Sequence, residues 1–77
     1  MRLDKYFKVS RIIKRRVVAK EVIDNGGVLI NSRPAKASSE VKVGDVLTLI
    51  KENKSYRVKN IYPSATEAKA LEMYEEI

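Results

Sequence analysis

Lys14, Arg15 and Arg16 stand in immediate succession, with Arg11 just before them and Lys20 just after. The chemistry open to such a group is electrostatic. Cations within one or two turns of chain repel each other, and an anion placed among them relieves that repulsion. Arginine adds planar, bidentate recognition of phosphate and of guanine edges, which lysine lacks. The other chemistries find little to work with. The chain has no histidine and no cysteine, which removes the commonest general base, the commonest metal ligand and every Ser-His or Cys-His nucleophile pair. Glu75 and Glu76 are adjacent, so on a helix they diverge and cannot share a proton. No phosphate-cradling loop, dinucleotide glycine pattern or metal-spaced cluster occurs. The expectation is a non-enzyme with no cofactor and no metal.

The basic run must be positioned by the segment after it. Val17 to Asn25 reads as an amphipathic helix, with Val18, Ala19, Val22 and Ile23 on one arc and Arg16, Lys20 and Asp24 along another flank. Gly26 and Gly27 end it, because glycine takes the left-handed helix terminus without a steric penalty. Val28, Leu29 and Ile30 then suit a strand. Upstream, a first helix begins at Arg2, Leu3 and Asp4 and runs to about Ser10, with Leu3, Tyr6, Phe7 and Ser10 on one side and Lys5, Lys8 and Arg11 elsewhere around it. Tyr6 and Phe7 are assigned to core packing rather than base stacking. Asp4 favours the positive end of the helix dipole, and a nearby arginine is a possible partner for it. Between Ser10 and Lys14 either two helices meet in a tight turn or one longer helix bends.

Charge distribution sharpens the picture. Seventy-seven residues make one small domain without room for a deep substrate pocket. Of a net charge of +6, the stretch from Met1 to Lys36 carries ten Lys or Arg against Asp4, Glu21 and Asp24, while from Pro63 onward only Lys69 faces four glutamates. The front half suits a polyanion and the tail does not. The first residues do not resemble a secretory signal and no run reaches membrane-spanning length, so a cytoplasmic location with no membrane partner is expected.

Farther along, Asn31 to Pro34 has turn chemistry, with Arg33 at the tip, and Ala35 to Glu40 reads as an irregular connection from which Lys36 projects. Val41 to Asp45 alternates and breaks at Gly44-Asp45. Val46 to Ile50 is expected as a central strand covered on both sides. After a turn at Lys51 to Lys54, Tyr56 and Val58 face one way on a strand expected at the sheet's edge, where Arg57 and Lys59 discourage unwanted pairing. Pro63 stops it, and Thr66 is placed to cap a last, acidic helix from Glu67 to Ile77.

Arg2-Leu3-Asp4, Arg16 with Ala19, Ile23, Gly26, Val28 to Asn31 and Val43-Gly44-Asp45 together resemble the S4 domain, an RNA-binding module named after a small-subunit ribosomal protein. The match covers about Met1 to Ile50. It implies an α+β fold, two short N-terminal helices packed on a small, bent, mostly antiparallel sheet, with RNA across the helix pair and the following turn. The basic triple and Pro34 to Ser38 further resemble the small stand-alone members related to the bacterial fifteen-kilodalton ribosome-associated heat-shock protein, including the short ribosome quality control protein P group. That resemblance implies contact with ribosomal RNA of the large subunit and with peptidyl-tRNA. It also implies support of C-terminal alanine-tail addition alongside a tRNA-recruiting ribosome quality control protein. Ser32 departs from the glycine usual in that turn, and Gly27 stands where many relatives have arginine.

The resulting expectation is a monomer with an RNA-binding domain over residues 1–62 and an acidic C-terminal helix or tail over 63–77. Arg2, Lys5, Lys8, Arg11, Lys14, Arg15, Arg16, Lys20, Arg33 and Lys36 are the candidate RNA contacts. Two alternatives stand beside it: a protein-interaction adaptor docking through the acidic helix, and a DNA-binding domain. The latter is weakened because Val17 to Asp24 presents no exposed Asn or Gln to read bases.

Overall fold

Two helices at the start of the chain lie against one face of a five-stranded antiparallel sheet in the computed structural model, which describes residues 1–77. Helix α1 spans Leu3–Ser10 and α2 spans Arg16–Asp24. The strands are β1 (Val28–Ile30), β2 (Arg33–Pro34), β3 (Val46–Leu49), β4 (Lys54–Val58) and β5 (Tyr74–Glu76), in the spatial order β2-β1-β3-β4-β5, with a short helix α3 (Glu67–Leu71) before β5. The α+β architecture is the expected one, including the short C-terminal helix.

Helix α1 exists because its apolar positions coincide at helical spacing: Leu3, Tyr6 and Phe7 are buried, with the small polar Ser10 beside them, as their spacing predicts. No side chain caps its start. The first free amides are instead taken by a distant loop, Leu3 N–H donating to the Ser39 carbonyl at 2.9 Å and Asp4 N–H to that of Ala37 at 3.2 Å. At its end Arg11 adopts a left-handed backbone, φ 64°, and donates its amide to the Lys8 carbonyl. That residue settles the open alternative, since a left-handed terminus breaks the helix and α1 and α2 are separate.

Helix α2 buries Ala19 and Ile23 but leaves Val17 and Val18 exposed, so its packed arc is narrower than the apolar periodicity suggests. Each glycine after it has its own role. Gly26 takes φ 78°. Gly27 is pressed onto the helix end, where an added Cβ would sit 2.9 Å from the Val22 carbonyl oxygen. Any side chain at this position would need the backbone to give way.

The rest of the chain departs from expectation in four places. Arg33 is not at a turn tip: the turn is Asn31 and Ser32, with φ 50° and 69°, and Arg33 is the first residue of β2, paired with Ile30. Positive φ at both loop residues suits a two-residue hairpin, and Ser32 bears that conformation without being glycine. Strand β3 is central, but it is covered on one side only. Leu47 and Leu49 are buried, whereas Val46 and Thr48 are partly exposed on the other face, where Thr48 and Ser55 hydroxyls lie 3.0 Å apart. Strand β4 is not an edge, because β5 pairs with it and Arg57 there bridges Glu75 at 2.7 Å. The last helix ends at Leu71 rather than Ile77.

This last difference has a physical cause. Thr66 caps α3 as expected, accepting from Lys69 N–H at 3.3 Å. Met73 is fully buried, and its carbonyl accepts from the Tyr6 hydroxyl at 2.6 Å and from Lys59 N–H at 2.7 Å. Sheet pairing and core burial override the helical pattern of an acidic segment too short to hold a helix alone. Burial pushes the Tyr6 phenol far above the ordinary tyrosine range, with Tyr74 adding to the effect, so Tyr6 stays a neutral donor.

A cationic surface organised on one carboxylate

Asp4 is the fixed point. Its side chain is only 4% exposed, and it accepts from Lys5 N–H at 2.8 Å. Two guanidiniums meet on it, one from the extended residue just before α1 and one from the first residue of α2: Arg2 Nε at 3.2 Å from Oδ1 and Arg16 Nε at 3.3 Å from Oδ2. Both arginines remain about half exposed, at 51% and 46%. A guanidinium has five N–H donors in a rigid fork, so each retains donors for an outside anion. Two positive charges against one negative leave a net cation at the junction of α1 and α2.

Burial alone would raise the Asp4 pKa, but hydrogen bonds from Arg16, from Lys5 N–H and from Arg2, with the charge of Arg16, outweigh it and hold the carboxyl below its ordinary value. A carboxylate with a depressed folded-state pKa contributes stability that is fully present above its unfolded value and lost as pH falls through the folded one. Wild-type melting temperature therefore drops below about pH 4. Asp4→Asn melts lower than wild type at pH 7, and the gap closes as pH falls, which a pH series of thermal melts reads directly. A constant gap would mean that Asp4 acts by shape alone.

The remaining candidates stay free of internal neutralisation. None of Lys5, Lys8, Arg11, Lys14, Arg15, Lys20, Arg33 or Lys36 appears among the ion pairs, whose carboxylates are Asp4, Glu40, Glu72 and Glu75. Arg11 and Lys14 border one cleft of about 360 Å³ beside α3. Arg33 borders another, of about 550 Å³, between the β1–β2 hairpin and the Val41–Asp45 turn. Lys36 lies on the loop whose Ala37 and Ser39 carbonyls hold the start of α1, which brings that loop against the Arg2 end of the helix. Arg15 lies at the entrance of α2, Lys20 is exposed on that helix, and Lys5 and Lys8 lie on α1.

The sequence reading missed Lys42, which shares the cleft of Arg33. Asn31 and Asp45 lock that cleft's walls together. The Asn31 amide donates to Asp45 Oδ1 at 3.0 Å, its carbonyl oxygen accepts from Val46 N–H at 2.9 Å, and Asp45 Oδ2 accepts from Lys42 N–H at 2.8 Å. The signal was present in the strand-ending asparagine and the Gly-Asp turn, but only the fold joins them.

This arrangement matches a known module. The S4 domain model matches residues 1–47. The chain belongs to the S4 domain family. It is 49% identical over 77 residues to the RQC P-site tRNA stabilizing factor of Streptococcus pneumoniae, covering 97% of this chain and 88% of that protein. It is 65% identical over 49 residues to the protein of the same name from Bacillus subtilis, covering 64% of this chain and 57% of that one, so the match spans little more than half of that relative. The structure of Vibrio cholerae heat shock protein 15, described as trimeric, superposes with a TM-score of 0.90 at 29% identity, covering 100% of this chain and 81% of that one. No helix of this S4 domain protein is long and apolar enough to cross a membrane.

Proposed function

We propose that this S4 domain protein binds folded RNA on the large ribosomal subunit, contacting ribosomal RNA and the P-site peptidyl-tRNA of a stalled complex. In this reading it works in the cytoplasm as a monomer and a binding protein, without catalysis. It steadies the tRNA so that a tRNA-recruiting quality control partner can extend the nascent chain with C-terminal alanines. Arg2 and Arg16 are the central phosphate contacts, with Lys5, Lys8, Arg11, Lys14, Arg15 and Lys20 around them and Arg33 and Lys36 reaching a second strand.

The observation that carries this reading is the Asp4 junction. A single buried carboxylate aims two half-exposed guanidiniums, one just before α1 and one opening α2, in a chain half whose other lysines and arginines form no ion pair. The names borne by its relatives supply the ribosomal context.

The test is binding of the purified chain to large subunits carrying peptidyl-tRNA over a salt series. Contact with several phosphates makes affinity fall by about a thousandfold between about 50 and 200 mM salt. Binding insensitive to salt would overturn the reading. Equal competition by duplex DNA would also overturn it, in favour of a general nucleic-acid binder.

A further inference from the structure

The cleft beside α3 has two walls of different character, and only one belongs to the stretch matched by the family model. The first wall is cationic: Arg11 and Lys14, on the turn between α1 and α2, form no ion pair although Glu67 borders the same cleft. The second wall comes from the C-terminal segment and is apolar apart from Glu67. Leu71, the last residue of α3, is 65% exposed, an aliphatic side chain left in water by the fold. Tyr74, at the start of β5, is half-buried, and its ring is set edge-on against Tyr56 with centroids 5.4 Å apart and an interplanar angle of 85°. A ring fixed in this way loses little entropy when another group packs on it.

We propose that this cleft takes one unstacked ribonucleotide, its phosphate on Arg11 and Lys14 and its base against Leu71 and Tyr74. The inference rests on the RNA reading above and gives the C-terminal segment a share in it. A free phosphate would satisfy the cations and leave the apolar wall wet. A base supplies a planar apolar face to that wall, and its edge offers N–H groups to the Glu67 carboxylate. The volume, about 360 Å³, lies near the lower end for sites that hold a compact organic ligand, which suits one nucleotide better than a folded strand.

The experiment compares wild type with Leu71→Ser, Leu71→Phe and Val43→Ser for binding to large subunits carrying peptidyl-tRNA across a salt series. Leu71 is exposed, so its replacement leaves the fold intact, and Val43 is an equally exposed aliphatic outside the cleft. Leu71→Ser weakens binding by about fivefold, the scale of one lost aliphatic contact, at every salt concentration and with an unchanged salt slope. Leu71→Phe binds as wild type or tighter, and Val43→Ser is neutral. If wild type binds with the expected salt dependence but Leu71→Ser equals it, this inference alone falls. If wild type itself shows no such dependence, the RNA reading falls and takes the inference with it. A Leu71→Ser loss seen with isolated ribosomal proteins and absent with ribosomal RNA would assign the cleft to a protein and overturn the proposal.

Discussion

Arg16→Ala is expected to weaken binding to large ribosomal subunits by about tenfold at moderate salt, the scale of one lost charge-assisted hydrogen bond. It should also lower the slope of log affinity against log salt by about one unit, because one fewer counterion is released on binding. Arg16 joins both features a phosphate contact needs: its Nε is anchored on Asp4 at 3.3 Å, and nearly half of its side chain faces solvent. The anchor matters because an arginine already held in place gives up less side-chain freedom on binding. Arg16→Lys keeps the charge and loses the planar fork, so it should fall between wild type and Arg16→Ala with an unchanged slope. Lys54→Ala removes an exposed cation without an ion pair from β4, away from the helix pair, and should change neither quantity. Arg16→Ala binding as tightly as wild type, with the same slope, would remove Arg16 from the interface.

Met73→Ala should be the most destabilising single substitution at the C-terminal end. The side chain is fully buried in the core that joins α1, α2 and the sheet. Truncating a buried methionine costs about 2–5 kcal/mol. In a chain of this size that is a large part of a total stability of roughly 4–12 kcal/mol. A loss of about 3 kcal/mol would lower the melting temperature by about 15 °C. Removing residues 63–77 altogether goes further. It strips β4 of its partner strand, takes away the carbonyl that accepts from Tyr6 and Lys59, and uncovers Tyr56 and Val58. The shortened chain should lose its cooperative thermal transition. A pull-down abolished by that deletion would therefore report unfolding rather than a lost docking helix. A cooperative melt retained by residues 1–62 would show instead that the segment is an accessory.

The helix pair was legible because its evidence is local. Leu3, Tyr6 and Phe7 repeat at a spacing that only a helix turns into one face, and the glycines after Asn25 allow only a stop. The fate of the C-terminal segment was not local. Ala68, Leu71, Met73 and Tyr74 fit a helix in isolation, and what makes Tyr74–Glu76 a strand is the unpaired side of β4, a partner sixteen or more residues away in sequence. The charges on β4 were misread for the same reason: Arg57 discourages pairing only until Glu75 arrives opposite it. At the candidate site the residue types were readable, but their grouping was not. Nothing in the spacing of Arg2, Asp4 and Arg16 states that one carboxylate serves both arginines. Nor does spacing join Arg33 to Lys42, which come together through the hydrogen bond from Asn31 to Asp45 and that from Lys42 N–H to the same carboxylate.

The uncompensated lysines and arginines of the first thirty-six residues also bear on the molecule when it is alone. Their mutual repulsion acts against the folded state, and dissolved ions relieve it. Raising ionic strength should therefore make the solitary protein sturdier while prising it from its RNA. Stability and occupancy move in opposite directions with the same variable, and the polyanion itself is the best counterweight the fold can find.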